Sequence, residues 1–468
     1  MQNPISASAS ADHYAVSINP TTGEEIARYP FHCASERESI LAQAAEAQRL
    51  WADHTLAGRA AHIMRIGALL RQESPSLAPL ISAEMGKPIT AARSEVEKCA
   101  TLCCWYAEHA ERLLADEPAD VGGDGEAVIA FLPLGIVFGV MPWNFPIWQV
   151  LRAAIPIMIA GNGFVLKHAD NVQGCALALA RIIAAAGVPG GLFGIVNVTR
   201  AELPDIIADK RIAAVTVTAG VAAGSAIAAE AGRHLKKSVL ELGGSDPFII
   251  LADADLDRAA RAAVQGRFQN LGQVCIAAKR IIVERSVAEA FIHRFVAETR
   301  KLRTGDPRDD AVDLGPLARF RQRLELHAQV EQSIDMGARL LLGGRIPEGP
   351  GAFYPPTVLA NVTRDMPVCR EETFGPVAAI IVADNADEAV DIANDSAFGL
   401  SGAIWSSDVA YASRLARRIE TGGIFINGVA TSDPRVPIGG IKHSGYGREL
   451  SHFGVREFCN AKLIWRRT

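Results

Sequence analysis

The stretch GIVFGVMPWNFP, residues 135–146, decides how this chain is read. Its first seven residues are apolar or glycine without alternation, the pattern of a strand buried on both faces of a parallel sheet. Pro142 and Pro146 then fence a stiff turn, and an apolar helical pattern runs from Ile147 to Ala160. Working outward, the same rhythm repeats. GFVLKHA (163–169) reads as a strand and Gln173 to Ala186 as a helix. GIVNV (194–198) reads as a strand, followed by a short helix from Leu203 to Ala208. AAVTVT (213–218) is a strand, Ala222 to Ala231 a helix, and SVLEL (238–242) closes the run. Strands alternating with helices predict an α/β fold with a parallel sheet and crossovers.

The rhythm resets after ELGGSDP (241–247), where glycines and a proline interrupt it. PFIIL, KRIIVE, ARLLLGG, AAIIVA and GGIFING then read as strands. Leu256 to Phe268, Val287 to Arg300, Phe320 to Met336, Ala386 to Asn394 and Val409 to Ile419 read as helices, giving a second α/β unit. Toward the N-terminus the helical patterns are Glu36 to Trp51, Gly58 to Glu73 and Ala91 to Ala115, with a strand pair expected around Ala127 to Pro133 after the turn signal GGDG. Residues 1–14, rich in Ser and Ala, read as a loose tail.

A chain of 468 residues corresponds to about three structural units at about 150 residues each. Apolar residues at 49% and charged residues at 21% exclude wholesale disorder. Forty-seven basic against 52 acidic residues, net charge -5, give no electrostatic footprint for nucleic acid. Aromatics at 6% give no stacking platform either. Eight cysteines without a C-x-x-C point to a reducing, cytoplasmic setting. The first residues show no basic segment leading into an apolar one, so no secretory signal is read. The most apolar region, Leu132 to Leu166, is broken by Pro142, Asn144, Pro146, Arg152, Pro156 and Asn162, so no membrane span is expected.

Several residues carry a chemical reading beside a plain one. No G-x-G-x-x-G stands at a strand-to-helix turn, but VTVTAGVAAG (215–224) places Ala219 and Gly220 where a helix start offers N–H groups to a phosphate; an ordinary βα turn looks the same. Cys275, in QNLGQVCIAAKR (269–280), is either a thiolate nucleophile or a small buried hydrophobe. Glu241, at a strand's carboxyl end, is a general base if desolvated, or half of an ion pair. Asn144, between two prolines, is a rigid amide donor for an oxyanion, or an Asx turn. Lys167 and Asp170, in VLKHAD (165–170), suit a nucleotide ribose, or a solvated strand end. Cys99, Cys103 and Cys104 share a helix and read as core packing. The eleven histidines form no H-E-x-x-H cluster, so no metal site is expected.

Taken together, PWNFP, LKHAD, ELGGSDP, NLGQVC, EETFGPV and PIGGIKHSGYGRE, in this order between Trp143 and Glu449, resemble the aldehyde dehydrogenase superfamily. NPTTGEEIA (19–27) and EMGKP (84–88) extend the resemblance over nearly the whole chain. The variants KHA, VLELGGSDPF and GRELSHFG look most like bacterial NAD(P)-dependent succinate semialdehyde dehydrogenases. The resemblance implies Cys275 as nucleophile, Glu241 as general base and Asn144 as oxyanion donor. On the cofactor side it implies Trp143, Lys167, His168, Ala169 and Asp170 near the adenosine, and Ala219 and Gly220 near the pyrophosphate. It implies Leu242 near the nicotinamide, Glu372 at its ribose and Phe374 beside it. The cofactor expected is NAD, favoured by the Asp170 carboxylate, with NADP as a second acceptor that Lys167 would favour. Many family members have Gly-Ser where this chain has Ala219-Gly220, so a pyrophosphate hydroxyl contact is missing. Ala277 stands where some relatives carry a second, redox-switch cysteine.

For the substrate, Arg152 lies two helical turns beyond Asn144 and would reach a distal carboxylate; Gln269, Ser432 and Arg435 are further pocket candidates. Gln269 stands where some relatives have a second arginine. The implied fold has a cofactor-binding domain (1–115 and 134–243), a catalytic domain (244–445) and a small β oligomerisation element (116–133 and 446–468), and hence a homodimer or homotetramer. The competing readings are a dehydrogenase for another aldehyde, a cysteine-dependent esterase and a non-catalytic structural protein.

Overall fold

The segment Ile136–Met141 lies inside a six-stranded sheet. The computed structural model describes residues 13–467. Gly163–His168 and Phe193–Ile195 follow on one side of this strand; Ile212–Thr218 and Lys237–Glu241 lie on the other, all parallel. Gly445–Tyr446 adds an antiparallel edge to Lys237–Glu241. Strand order therefore reverses between Ile136–Met141 and Ile212–Thr218. In open α/β sheets such a reversal opens a crevice beyond the carboxyl ends of the two strands, and PWNFP and Ala219-Gly220 sit there. The helix Trp148–Ile159 is apolar nearly all round, and all twelve of its residues are buried between the sheet and the long helix Ile89–Leu114.

A second sheet has seven strands in the order Arg339–Leu342, Thr357–Ala360, Val377–Ala383, Arg280–Glu284, Pro247–Ile250, Ala403–Trp405 and Phe425–Ile426. Only Arg339–Leu342 is antiparallel to its neighbour. Phe248, Ile281, Ile380 and Phe295 are fully or almost fully buried in its core. The chain crosses from the first sheet to this one through ELGGSDP. A third, antiparallel sheet joins Glu117–Ala119, Glu126–Pro133 and Cys459–Arg466, the last pair in register from Cys459 opposite Pro133 to Arg466 opposite Glu126. Residues 446–468 thus divide: Tyr446 belongs to the first sheet, Ser451–Glu457 is a helix against Ile89–Leu114, and only Cys459–Arg466 joins the third sheet.

Some expectations are corrected. Of the tail read over residues 1–14, residues 1–12 lie outside the described residues, while Tyr14 opens a strand, Tyr14–Ile18, that pairs with Glu25–Pro30. The strand read in GIVNV is only Phe193–Ile195, because Asn197 turns away to donate to the carbonyls of Tyr29 (3.1 Å) and Pro30 (2.8 Å). The helix Ser74–Met85 went unread because Pro75 and Pro79 look like breakers. Pro75 sits in the first turn, where a missing N–H costs nothing. Among the described residues no helix is long and apolar enough to cross a membrane.

Gly139, mid-strand in Ile136–Met141, sets how closely the first sheet packs: a Cβ there would lie 2.2 Å from the Phe164 ring. Gly139→Ala is expected to destabilise the protein by about 1–3 kcal/mol through overpacking. Adding Phe164→Leu should recover part of that loss, read as a non-additive Tm shift in the double variant.

Candidate active site

Cys275 follows an unusual turn. The helix Leu256–Phe268 ends and Asn270 (φ +50°), Leu271 (φ +57°) and Gly272 (φ +69°) run consecutively in the left-handed region. For Leu271 that conformation costs about 1 kcal/mol or more and persists only because its surroundings enforce it. The buried Arg267 guanidinium supplies one tether, donating to the carbonyls of Val377 (2.5 Å) and Thr373 (3.0 Å). Lys279 supplies another: its Nζ donates to the Cys275 carbonyl (2.7 Å) and to Glu372 Oε1 (3.0 Å). Glu372 also accepts the Gly244 N–H at 3.0 Å, which fastens ELGG to the same lysine.

The PWNFP turn locks onto this loop from the other sheet. Asn144 Nδ2 donates to the Gln273 carbonyl (2.9 Å), and Asn270 Nδ2 donates back to the Asn144 carbonyl (2.8 Å). His168 braces the turn from below. Its buried ring lies 3.2 Å from the Met141 carbonyl and 2.9 Å from that of Pro146, and burial lowers its pKa to about 4, so it is neutral.

Behind the thiol is a buried charge cluster. Arg152 is ion-paired with Glu449, and both are almost fully buried. Burial opposes the Arg152 charge, but Glu449, Glu241 and Cys275 outweigh it and keep the guanidinium ionised. One cation cannot fully compensate two carboxylates and the thiol. Burial therefore pushes Glu241 up, to about 8, with Arg152 opposing and Glu449 reinforcing the shift. The half-buried Cys275 is likewise pushed up by its surroundings, to about 11, with Arg152 and Lys279 opposing and Glu241 adding to the rise.

Cavities reach Cys275 from two directions. One, about 240 Å³, is walled by Phe145, Trp148, Val274 and Ile276, with Lys98 and Ser432 also lining it. The other, about 220 Å³, lies among Trp143, Asn144, Thr218, Leu242, Glu372 and Phe374. It shares Trp143, Ala219 and Gly220 with a cleft of about 740 Å³ that runs past Lys167 and Asp170 between the helices Leu203–Ala208 and Val221–Arg233.

The residues singled out in the sequence distribute as follows. Asn144 and Cys275 share a cavity wall with Trp143, Leu242, Glu372 and Phe374, and Trp143 meets Phe374 edge-on at 5.8 Å. Lys167, Ala169, Asp170, Ala219 and Gly220 line the large cleft. There Lys167 donates to Asp170 at 2.6 Å. His168 is at the cleft wall too, but its imidazole is committed to the turn. Glu241 lines neither cavity that reaches the thiol. Its Oε1 has no hydrogen-bond partner and lies where Gly439 leaves room. Gln269, Ser432 and Arg152 line the pocket walled by Phe145 and Trp148. The charge expected from Arg152 for a substrate carboxylate is already compensated by Glu449. Arg435 is not brought to the site; it is exposed and bound bidentately to Asp433 at 2.8 Å. Cys99 and Cys103 are core residues. The sequence reading missed Lys279, Glu449 and Lys98. Lys279 follows Cys275 by four residues and Glu449 ends a quoted motif, whereas Lys98 looks like any helical lysine.

A half-buried cysteine, an amide beside it, and separate approaches for a small molecule and for something the size of a dinucleotide give the geometry of a two-substrate site arranged around a thiol. The chain belongs to the aldehyde dehydrogenase family, whose sequence pattern matches residues 6–464. It is 54% identical over 453 residues to the NAD(P)+ succinate semialdehyde dehydrogenase Sad of Escherichia coli (strain K12), covering 97% of this chain and 98% of that one. It is 46% identical to the NADP(+) succinate-semialdehyde dehydrogenase of Mycolicibacterium paratuberculosis, over 96% of each chain. Among solved structures, succinic semialdehyde dehydrogenase from Streptococcus pyogenes in complex with NADP+ superposes with a TM-score of 0.94 at 36% identity, covering 97% of this chain and all of the other.

The raised Cys275 pKa makes a direct prediction for the ligand-free protein. The thiolate fraction, and with it the rate of alkylation by iodoacetamide, should keep rising from pH 7 to pH 10 without a plateau. A plateau below pH 8, followed by mass spectrometry of the Cys275 peptide, would mean a preformed thiolate.

Proposed function

We propose that the protein oxidises succinate semialdehyde to the acid with NAD(P)+, through a covalent intermediate on Cys275. The observation that carries this reading is that Cys275 forms part of two cavity walls: the pocket of a small substrate, and the recess that joins the dinucleotide-sized cleft. The relatives named above, at 54% and 46% identity, support the choice of aldehyde.

The cleft fits a nicotinamide dinucleotide. Gly220 caps the thirteen-residue helix Val221–Arg233 without a side-chain cap, and a Cβ there would meet nothing within 4 Å. The first N–H groups of that helix are therefore open to a pyrophosphate. Ile207, Ala226 and Ile227 offer an apolar slot for a base. Glu372, already anchored by Lys279, would hold the nicotinamide ribose, and Leu242 and Phe374, which line the same recess, would pack beside the ring. Asp170 favours a ribose 2′-hydroxyl and Lys167 a 2′-phosphate; with the two joined, both NAD and NADP are accepted.

The chain's own residues then divide the chemistry. The Cys275 sulfur adds to the aldehyde carbon while its proton leaves to solvent. The second N–H of Asn144 and the backbone N–H of Cys275 hold the resulting oxyanion. A nicotinamide held there would supply the hydride acceptor, and loss of hydride from the thiohemiacetal carbon leaves a thioester on Cys275. Glu241, ionised, swings from its recess by Gly439 and takes a proton from water, which attacks the thioester carbon and releases the carboxylic acid and the thiol.

The third sheet completes the reading. Among the described residues Cys459–Arg466 has a partner strand on one side only, and Leu463, Ile464 and Trp465 are exposed along it. A bare apolar edge of this kind calls for another copy's sheet, so the protein is a homo-oligomer. All eight cysteines are free, which suits the cytoplasm.

Cys275→Ala should abolish aldehyde-dependent NAD(P)H formation while preserving dinucleotide binding. Glu241→Gln should give a burst of NAD(P)H followed by slow turnover. In the wild type, single-turnover thioester hydrolysis should accelerate as pH rises through about 8, as Glu241 ionises, and that dependence should vanish in Glu241→Gln. Steady-state kcat/KM should favour succinate semialdehyde over butanal; equal values would overturn the substrate assignment. Light scattering should give a dimer or tetramer mass, reduced by Ile464→Lys.

A further inference from the structure

Three cations line the apolar pocket in front of Cys275: Lys87, Arg152 and Lys98. Two have counter-ions. Lys87 is ion-paired with the buried Glu95, whose other oxygen accepts the N–H groups of Ile147 and Trp148 at 2.9 Å. Arg152 is ion-paired with Glu449. Lys98 has none: among the described residues no carboxylate pairs with its ammonium. The acids whose charges act on it are Glu95 and Asp433, both already committed, the latter to Arg435. Lys98 Nζ instead donates to the hydroxyl of Ser432 at 2.8 Å and lies 4.0 Å from the centroid of the Trp148 ring. Burial, with Arg152 nearby, lowers its pKa to about 8.

A half-buried ammonium without a counter-ion, in a pocket that also contains a nucleophile, is electrostatically incomplete. An anionic group on the pocket's occupant would complete it. We propose that Lys98, placed by Trp148 and Ser432, is the residue that selects aldehydes bearing a distal carboxylate. This rests on the substrate reading above and deepens it by naming the cation. The carboxylate accepts from Lys98 Nζ and from the Ser432 hydroxyl, while the aldehyde carbon faces Cys275. An ammonium suits the task because it is a compact charge with three rotatable donors, so it can keep a hydroxyl and gain a carboxylate.

The experiment compares wild type, Lys98→Met, Lys98→Arg and Arg152→Met on succinate semialdehyde and butanal. In Lys98→Met the ratio of kcat/KM for succinate semialdehyde to that for butanal should fall about 10- to 100-fold, mainly through KM, the scale of one lost charge-assisted hydrogen bond. Lys98→Arg should recover part of the ratio. An unchanged ratio in Lys98→Met overturns the assignment, as does a carboxylate-specific loss confined to Arg152→Met. A second readout does not depend on the semialdehyde being the substrate: inhibition of butanal oxidation by butanoate and by butanamide. Wild type should bind butanoate more tightly, and Lys98→Met should erase the difference. If wild type shows no preference for succinate semialdehyde yet retains a Lys98-dependent preference for butanoate, the substrate reading fails and the Lys98 assignment stands. No preference for butanoate in wild type overturns Lys98.

Discussion

Everything at the site depends on one crossed pair of hydrogen bonds. Asn144 donates to the carbonyl of Gln273, and Asn270 donates to the carbonyl of Asn144. One loop hangs from the six-stranded sheet and the other leads into the seven-stranded sheet, so these bonds set the position of one α/β unit against the other. Their partners are buried backbone groups, which would be costly to leave unpaired, so the clamp is specific as well as strong. It puts an amide beside the thiol and leaves the Phe145–Trp148 pocket on one side and the Leu242–Phe374 recess on the other. The left-handed run at Asn270–Gly272 is the local cost of bringing a helix end into that clamp, and Arg267 and Lys279 offset it with four hydrogen bonds to the surrounding backbone and Glu372.

The second organising element is electrostatic. Arg152, Glu449 and Glu241 form a buried set with more negative than positive charge, and desolvation answers the imbalance by favouring the neutral acid at Glu241. A carboxyl group protonated at rest adds no negative charge beside the thiol, and with a pKa of about 8 it is still able to ionise near neutral pH, as the proposed base role requires. Its Oε1 lies in the space left by Gly439, away from the cavities that reach the thiol. Lys98 is the complementary case. Its charge is left uncompensated within the protein, and the pocket's polarity is completed from outside. Cations of similar appearance in one pocket thus have different tasks, set by which acids lie within reach.

What the sequence by itself determined follows from periodicity and local chemistry. Unbroken apolar strands separated by helices require parallel sheets covered on both faces, and the reset at ELGGSDP requires a second one. Motifs whose residues lie close together in the chain, such as PWNFP, LKHAD and the Cys275 loop, were legible because strand ends and turn residues place them without distant partners. Where a side chain such as Asn197 ended a strand early, local rules misled, since the deciding contact came from elsewhere in the chain.

The tertiary structure decided what charge does. Arg152 and Lys98 are equally plain cations in the sequence, and spacing along a helix favoured Arg152 for a carboxylate. Only folding brings Glu449, some three hundred residues away, onto Arg152, and Ser432 and Trp148 onto Lys98. Arg435 shows the same effect in reverse, for it is spent on Asp433 two residues before it and stays at the surface. Burial and counter-ions come from contacts between remote segments, and these fix whether an ionisable group is structural, reactive or open to a ligand. A linear pattern carries the identity of such a group but not its surroundings, and in a low-dielectric interior the surroundings set its free energy.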